Sequence, residues 1–381
     1  MTRFSPVFVA LAALLLVLGC ETPAAVSTPT QTPSASLPPG PTPLPTPPPY
    51  RYTLLYGEFL GPRRAWVVRA VSLNGGLPRT LTTVAWEHDG RFAIAPQGTT
   101  LAILDKLDHH LEHTTTWRLR LLDLASRKER DVIAERTDPE LLVPWDVGYS
   151  PGGKLLLASR PTLDVVDETN GQRSTIFRFP EGNIGVTFRD LAHPTIAVTQ
   201  TVDSYTIYDV HDDGAAKVAD RPLVGVGSYA RRPGTNEILE VVTHFDGRTT
   251  FALIAPTGTR EFEIKGPTVE GLVDLIGTTP SFAYLMWPIA KSDQLAHGVE
   301  GSALIFSLGY DGALEPVAGV RNWGPFGPEG VSPDGRALVV PNGDTAQSDA
   351  RFTMSICCER RPPSPLLDYG DYFVIGWVPE P

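Results

Sequence analysis

The chain lacks the sequence features of several protein classes. It has 43 acidic and 32 basic residues, a formal net charge of -11, and no stripe of lysine or arginine. Proteins that bind the phosphate backbone need such a basic surface, so we expect no nucleic-acid partner. Only 3 of the 381 residues are cysteine, and no Cys-x-x-Cys spacing occurs. This absence argues against a dithiol redox function.

Helical patterning is also scarce. The best candidate covers residues 126–136, where Ser126 and Glu129 have the spacing of a capping box. The preceding run Arg118–Leu124 alternates in polarity, and Val132-Ile133 resumes as a strand would. We therefore expect a polar hairpin loop here, with a short helix as the alternative.

A short phrase, by contrast, recurs along the chain. Ala95-Pro96-Gln97-Gly98, Ser150-Pro151-Gly152-Gly153 and Ser332-Pro333-Asp334-Gly335 each precede an apolar run. Weaker copies occur at Arg232-Pro233-Gly234, Thr279-Pro280-Ser281 and Val378-Pro379. Repeats spaced by roughly 40–55 residues are typical of stacked supersecondary units and fit the blades of a propeller.

These motifs resemble those of the TolB-like β-propellers, whose repeats carry a Ser-Pro-Asp-Gly turn. Ser332–Gly335 is the full match, Asp123-Leu124 matches the Asp-Leu strand, and Asn74-Gly75-Gly76 matches the closing turn. The resemblance implies that an inner strand of each blade runs into the repeat turn. A second strand, an Asp-Leu strand and an edge strand are then expected to follow.

The number of turns predicts the number of blades. Turn-like positions recur near Pro96, Pro151, Asp190, Pro233, Pro280, Pro333 and Pro379. We therefore predict an all-β, seven-bladed β-propeller over residues 51–381, with six or eight blades as alternatives. Residues 53–82 lack an inner strand and Tyr372–Val378 lack an outer one, so we expect the N- and C-terminal strands to pair and close the ring.

The first 50 residues differ from the rest. Arg3 and the apolar run Val7–Leu18 resemble a secretory signal, and the run is short for a bilayer span. Val17-Leu18-Gly19-Cys20 resembles the lipobox of bacterial lipoproteins. That resemblance implies a signal peptide over residues 1–19 and a lipid-modified Cys20. An uncleaved anchor with an incidental cysteine is the alternative.

Residues 20–50 are expected to be a linker between this cysteine and the folded domain. The segment is rich in Pro, Thr and Ser, and proline removes backbone donors, so neither helix nor sheet is expected. We predict an extracytoplasmic protein that is anchored by lipid to a bacterial membrane, at the cell surface or in the periplasm.

Two motifs match enzyme sites by their letters. Gly148-x-Ser150-x-Gly152 has the spacing of a nucleophile elbow, but the proline after the serine has no N–H for an oxyanion hole. His109, Glu112 and His113 have the spacing of an inverted zinc-protease motif, which requires a helix. Because predicted strands flank the histidines, a hairpin loop is preferred, with a loop-borne metal site as the alternative.

Two weaker patterns resemble a metal site and a disulfide. The run Asp209–Gly214, with Asp220 further on, resembles a calcium loop but lacks the bidentate glutamate, so the Asp-Gly turn of a hairpin is preferred. Cys357 and Cys358 are adjacent, and adjacent strand residues point to opposite faces, so a vicinal disulfide would need a strained turn. We predict no catalytic residue and no cofactor, and keep the vicinal disulfide as an alternative.

Three tryptophans are the best candidates for a binding site. Trp86, Trp145 and Trp323 each lie six to ten residues before a repeat turn, where an inner strand should begin. Together with Asp146 they would ring one mouth of the central channel and suit a peptide or sugar ligand. Packing of these rings between blades is the alternative.

The sequence therefore predicts a membrane-anchored propeller that acts as a protein- or ligand-binding or scaffolding module. We expect a monomer with a protein or peptide partner. The alternative is an extracytoplasmic enzyme acting on glycans or peptides, with a site built from loops of several blades. Sequence spacing does not exclude it, because such residues come from distant positions.

Overall fold

The structure is a computed structural model of the chain. Its described part falls within one compact unit, Pro49–Pro381. Residues 1–48, including Cys20, are not among the described residues. The described residues are 49–60, 65–85, 91–110, 114–159, 161–180, 186–188, 196–266, 271–288, 303–320, 330–343, 352–357, 364–367 and 372–380.

The described residues form β-strands and one short 3-10 helix, Glu140–Leu142. Within these residues, no helix is long and apolar enough to cross a membrane. The strands are β1 (Tyr52–Leu60), β2 (Ala65–Ser72), β3 (Arg79–Ala85), β4 (Arg91–Ile94), β5 (Thr100–His110), β6 (Thr114–Asp123), β7 (Glu129–Pro139), β8 (Asp146–Tyr149), β9 (Leu155–Ala158), β10 (Thr162–Val166), β11 (Arg173–Arg178), β12 (Val186–Phe188), β13 (Ile196–Gln200), β14 (Ser204–His211), β15 (Gly214–Pro222), β16 (Gly225–Arg231), β17 (Ile238–His244), β18 (Thr249–Ala255), β19 (Gly258–Glu263), β20 (Asp274–Thr278), β21 (Phe282–Pro288), β22 (Ala303–Gly309), β23 (Leu314–Val320), β24 (Leu338–Gly343), β25 (Phe352–Cys357), β26 (Ser364–Pro365) and β27 (Tyr372–Pro379).

The strands assemble into antiparallel sheets that are the blades of a propeller. Six sheets have four strands, in the orders β27-β1-β2-β3, β4-β5-β6-β7, β8-β9-β10-β11, β12-β13-β14-β15, β16-β17-β18-β19 and β20-β21-β22-β23. The first strand of one blade contacts the first strand of the next, as β27 does with β4, β4 with β8 and β8 with β12. These first strands are therefore the inner strands of the blades.

The prediction of seven blades is wrong, because the described residues form six complete four-stranded blades. Strands β24, β25 and β26 form a smaller sheet of three. Its outer strand is the dipeptide Ser364-Pro365, and proline donates no hydrogen bond to a ladder. On its inner side, Val331 makes a single bridge to Leu338. Counting repeat turns overestimated the number of complete blades, because such a turn can form without a four-stranded sheet around it.

The repeat phrases form the turns between inner and second strands, as the resemblance implied. The N–H of Gly98 donates to the carbonyl of Ala95 at 2.7 Å, and the same bond runs from Gly153 to Ser150 at 2.9 Å. The three full phrases, Ala95–Gly98, Ser150–Gly153 and Ser332–Gly335, each end on a glycine with positive φ, with values of 69° at Gly98 and 85° at Gly153. Residues with a side chain rarely adopt this conformation, which explains the glycine of the phrase.

The terminal strands pair as predicted. β27 runs antiparallel to β1, with Thr53 opposite Val378 and Glu58 opposite Tyr372. Trp377 packs with Leu54 in a buried cluster on one side of this pair. The last strand of the chain is thus the inner strand of the first blade, and the blade has no unpaired inner edge.

The core lies within and between the blades. All four residues of β9 are buried, because the strand is covered on both faces. Fully buried Trp287 contacts Phe306 within its own blade, and both belong to a cluster with Leu239 and Phe251 of the preceding blade. Large aromatic side chains therefore fill the wedges between blades.

The segment after β6 is a hairpin loop, as predicted. β6 ends at Asp123 and β7 begins at Glu129. The Asp123 carboxylate accepts a hydrogen bond from the N–H of Ser126 at 2.6 Å and stabilises the turn. Arg127 has a φ of 58° and is the one non-glycine residue with positive φ in the described part of the chain. The competing helix does not form.

Candidate functional site

The strand order produces two faces with different loops. Strands alternate in direction within each blade, so every inner strand begins on the same face and ends on the other. We call the face where inner strands begin the link face. Its loops include residues 140–145, 201–203, 223–224, 245–248 and 271–273, together with Ser159 and Pro161. The opposite, repeat-turn face carries residues 95–99, 150–154, 232–237, 279–281 and 332–337.

Trp145 and Asp146 lie on the link face, where the inner strand β8 begins. Trp145 directly precedes the inner strand β8, and its N–H donates to the carbonyl of Ala158 at 2.7 Å. The Asp146 carboxylate accepts a hydrogen bond from the N–H of Val147 at 3.0 Å. Both side chains are half-buried. Ligand binding at these residues stays a prediction, and Trp86 and Trp323 lie outside the described residues.

A set of exposed apolar side chains lies on the same face, on the next two blades along the chain. Val202 is 79% exposed and Phe245 is 75% exposed. We call the whole set the apolar patch; its members are Val202, Val224, Val226, Phe245 and Leu272. Isolated exposed apolar residues are ordinary, whereas a cluster on adjacent loops is typical of an interaction site.

Backbone hydrogen bonds bring the loops of the apolar patch together. The N–H of Leu223 donates to the carbonyl of Asp203 at 2.9 Å, which places Val224 beside Val202. The N–H of Phe245 donates to the carbonyl of Val224 at 3.0 Å. The patch therefore spans the boundary between the β12–β15 and β16–β19 blades.

A buried carboxylate holds these two blades together next to the patch. Glu240 of β17 is fully buried, and its carboxylate accepts a hydrogen bond from the Tyr205 hydroxyl at 2.6 Å. The Arg221 guanidinium, at the end of β15, donates to the same carboxylate at 3.0 Å. Burial raises the pKa of Glu240, and the Tyr205 and Arg221 contacts oppose that rise. Because Arg221 also bonds Glu261 at 2.6 Å, the network joins both blades.

The rim of the patch is charged. Asp246 and Arg248 form an exposed ion pair at 2.8 Å on the loop that carries Phe245. Hydrogen bonds from Arg248 hold the pKa of Asp246 below its ordinary value. A polar rim around apolar side chains is the usual anatomy of a protein-binding surface.

Sequence reasoning missed the apolar patch. A signal was present, since Val202 precedes Asp203 and Phe245 precedes Asp246-Gly247, and large apolar residues are uncommon beside such turn-forming residues. Each of these residues is unremarkable alone. Their proximity depends on contacts between loops of different blades, which the sequence does not display.

Ser150 is part of a turn and lies outside any strand-to-helix elbow. Its backbone joins the antiparallel strands β8 and β9, and its hydroxyl accepts a hydrogen bond from the N–H of Lys154 at 2.9 Å. The side chain is fully buried. The interpretation of Gly148–Gly152 as a repeat turn is confirmed.

The first two histidines of the motif lie at the end of strand β5. His109 and His110 extend strand β5, opposite Thr115 and Thr114 of β6. An extended backbone at His109 does not provide the helix that the zinc-protease motif requires. Glu112 and His113 lie outside the described residues, so the loop-borne metal site remains an alternative.

The residues of the calcium-like run do not converge. Asp209 pairs with Arg231 of the next blade, whereas Asp220 pairs with Lys217. Asp212, between them, bonds the repeat turn of the preceding blade at Gly152. Within the described ranges, no three His, Cys, Asp or Glu residues are grouped to hold a metal.

Cys357 ends strand β25, and Cys358 lies outside the described residues. The backbone of Cys357 pairs with Leu338 of β24 in regular register. The vicinal disulfide therefore stays a prediction.

The repeat-turn face carries a cavity of about 410 Å³. It lies beside the β20–β23 blade, and one wall is Arg232 from the repeat turn of the preceding blade. The lining residues are Arg232, Ser281, Phe282, Ser307, Gly309, Tyr310, Asp311, Ala313 and Glu315. The cavity and the apolar patch therefore lie on opposite faces of the propeller.

The sequence matches no protein-family model and no curated protein. Among solved structures, it is similar to the periplasmic gluconolactonase PpgL of Pseudomonas aeruginosa, with a TM-score of 0.53 and 13% identity over 86% of this chain and 99% of that one. The β-propeller domain of the Trilobed protease from Pyrococcus furiosus matches with a TM-score of 0.51 and 12% identity over 85% and 97% of the two chains. TolB from Acinetobacter baumannii matches with a TM-score of 0.47 and 11% identity over 86% and 67%.

The chain is thus an all-β protein with the β-propeller fold, and TolB is among its structural neighbours. The predicted fold class is confirmed apart from the blade number. At identities of 12–13%, the matches to PpgL and to the Trilobed protease domain show the fold alone.

Proposed function

We propose that this protein is an extracytoplasmic, lipid-anchored β-propeller that binds another protein through its link face. The apolar patch is the observation that supports the proposal. It combines Val202, Val224 and Phe245 on three adjacent loops of two blades. Val226 pairs with Thr243, and Leu272 precedes Val273, whose N–H donates to the Thr243 hydroxyl at 2.9 Å.

Leaving these side chains exposed to water has a cost in free energy, which binding of a partner would remove. Fully burying a valine or phenylalanine side chain contributes roughly 1.5–3 kcal/mol. Phe245 is the largest side chain of the patch and has the character of a central anchor, because aromatic residues dominate the energetics of protein interfaces. The charged pair Asp246–Arg248 would lie at the rim, where contacts contribute to orientation more than to affinity.

The shape of the patch favours a protein over a small molecule. Four of its five residues lie in turns and links between strands, whereas small ligands are enclosed in cavities. The described cavity lies on the opposite face. Trp145 and Asp146 share the link face and extend the candidate surface to the β8–β11 blade.

The membrane anchor is proposed from the sequence before the fold. Val17–Cys20 resembles a lipobox, and 29 residues rich in Pro, Thr and Ser separate Cys20 from Tyr50. At about 3.1 Å per residue such a chain could extend roughly 90 Å, so the propeller could reach partners well above the lipid surface.

Photocrosslinking in intact cells tests the binding surface. A benzoylphenylalanine is placed at position 245 of the full chain, and we expect one discrete crosslinked protein adduct. Val202→Ser together with Val224→Ser should reduce its yield, because the apolar contact area beside the probe is lost.

Leu77 provides the matched control. It is 93% exposed but lies in the turn between β2 and β3, on the repeat-turn face. A probe at position 77 should not form the same adduct. Equal adducts from both positions, or none from position 245, would contradict the proposal.

A further inference from the structure

The cavity on the repeat-turn face has a rigid wall. The Arg232 guanidinium donates to Glu237 at 2.7 Å and to the carbonyl of Pro280 at 3.2 Å. Its central carbon lies 4.3 Å from the centre of the Tyr310 ring. Three independent contacts therefore fix this side chain, and the charge of Glu237 balances its own.

Tyr310 is fixed as firmly. Its hydroxyl donates to the carbonyl of Thr279 at 2.5 Å and lies 3.1 Å from the carbonyl of Phe282. Its own carbonyl accepts a hydrogen bond from Arg260 of the neighbouring blade at 3.0 Å. The aromatic part of the lining is thus preorganised, which lowers the entropic cost of binding a ligand.

The remaining polar groups of the lining are two carboxylates and two hydroxyls. Asp311 accepts a hydrogen bond from the N–H of Ala313 at 3.1 Å, and neither Asp311 nor Glu315 forms an ion pair with another described residue. Ser281 and Ser307 add hydroxyls that both donate and accept. The cavity therefore offers acceptors, mixed donors and the apolar surface of Phe282 together.

We propose that this cavity binds a neutral sugar. Carboxylates and serine hydroxyls can hydrogen-bond the hydroxyls of a pyranose ring, while Phe282 provides apolar surface for its C–H groups. A volume of about 410 Å³ is within the usual range for small-ligand sites. The cavity lies on the face opposite the link face, so sugar binding can be tested separately from protein binding at the apolar patch.

The charges of the lining determine which sugars fit. Asp311 and Glu315 are two negative charges, and the positive charge of Arg232 is already balanced by Glu237. An acidic sugar would therefore meet repulsion that a neutral sugar does not. Neutral sugars should bind in preference to uronic acids of the same size.

Saturation-transfer NMR on the full chain tests this site. The probes are glucose, galactose, mannose, N-acetylglucosamine and glucuronate. We expect at least one neutral sugar to bind, and glucuronate to bind about tenfold more weakly. Methyl glycosides of the sugar that binds distinguish a glycan end, which tolerates the methyl group, from a free sugar, which does not.

Two variants locate the binding. Glu315→Ala should weaken the neutral sugar by about tenfold, because a charged acceptor is lost, and should reduce the discrimination against glucuronate. Ser307→Leu should block the cavity, while Glu263→Gln on the exposed face of β19 is the control and should bind as the wild type does. Matching melting temperatures show that the variants are folded.

The proposal is overturned by any of three results. They are the absence of binding by every neutral sugar, equal binding of glucuronate, and binding that neither Glu315→Ala nor Ser307→Leu reduces.

Discussion

The Asp212 carboxylate accepts a hydrogen bond from the backbone N–H of Gly152 across a blade boundary, with 2.8 Å between the atoms. The Lys154 ammonium donates to the Asp212 carbonyl at 3.1 Å on the same boundary. Hydrogen bonds from Ser150 and Gly152 hold the pKa of Asp212 below its ordinary value. One contact thus explains two motifs that resemble an enzyme elbow and a calcium loop.

This contact predicts a coupling between the two residues. A Cβ atom added at Gly152 would overlap the Asp212 carboxylate, so Gly152→Ala should lower the melting temperature. In an Asp212→Ala background the space is free, and the same glycine substitution should cost less. Thermal unfolding of the four proteins of this double-mutant cycle measures the coupling. Strictly additive effects would show that the two residues act independently.

Deletion of β27 should destroy the closure of the ring. Removing residues from Asp371 onward takes away Trp377 and Val374, which are buried against β1, and exposes the β1 edge. We expect aggregation or a large loss of stability, measured by size-exclusion chromatography and thermal unfolding. A chain that lacks residues 1–48 is the control and should melt as the complete folded unit does. A soluble, unshifted C-terminal truncation would be inconsistent with the pairing.

A buried ion pair within the β4–β7 blade should be important for stability. Asp105 is 1% exposed, Arg120 is 4% exposed, and the two side chains lie 2.6 Å apart. Arg120→Met would leave a buried carboxylate with only Arg118, at 2.9 Å, and should cost about 3 kcal/mol in the free energy of unfolding. Arg118→Met should cost less than half of that, because Arg120 still pairs with Asp105. Urea denaturation measures the free energy of unfolding of both variants. Equal losses of stability in Arg120→Met and Arg118→Met would contradict the greater role of Arg120.

Glu240 should make stability depend on pH in a defined direction. Its pKa is raised above the ordinary value of 4.5, so the folded protein holds this proton more tightly than the unfolded chain does. Its contribution to stability therefore decreases as the pH rises from about 4.5 through the folded pKa. Denaturation of wild type and Glu240→Gln between about pH 4.5 and 7.5 measures this contribution as a difference.

The difference in the free energy of unfolding between the wild type and Glu240→Gln should decrease as the pH rises. If it grows instead, Arg221 and Tyr205 outweigh burial, and the pKa of Glu240 is lowered. Glu261→Gln, on the exposed side of the same network, is the control and should show a weaker pH dependence.

Lipid attachment at Cys20 is tested by substitution. Cys20→Ser should abolish metabolic labelling with a fatty acid and processing by the lipoprotein signal peptidase, because the other cysteines, Cys357 and Cys358, lie far along the chain. Cys357→Ser is the control and should be labelled normally. Equal labelling of Cys20→Ser and the wild type would rule out the lipobox interpretation.

Local features of the fold could be predicted because their chemistry is contained in a few neighbouring residues. The hairpin at Asp212-Asp213-Gly214 and the loop after Asp123 both form where turn residues interrupt apolar strands. The closure of β1 by β27 was also predictable, since each terminal segment lacked the partner that the other supplied.

The blade number and the apolar patch could not be predicted in the same way. Ser332–Gly335 is the best copy of the repeat turn, yet it belongs to the three-stranded sheet. Whether a turn is surrounded by a complete blade depends on pairing with distant segments such as Ser364-Pro365. The patch likewise depends on the bonds from Leu223 to Asp203 and from Phe245 to Val224.

The sequence by itself determined the all-β class, the repeat turns and the hairpins, because proline, glycine and alternating polarity restrict the backbone locally. Only the tertiary structure decided which loops meet. Gly152 and Asp212 are 60 positions apart and are bonded across one blade boundary, and Phe245 is bonded at the next boundary to Val224, 21 positions before it. Such contacts arise from the packing of whole blades, a property that no short stretch of sequence contains.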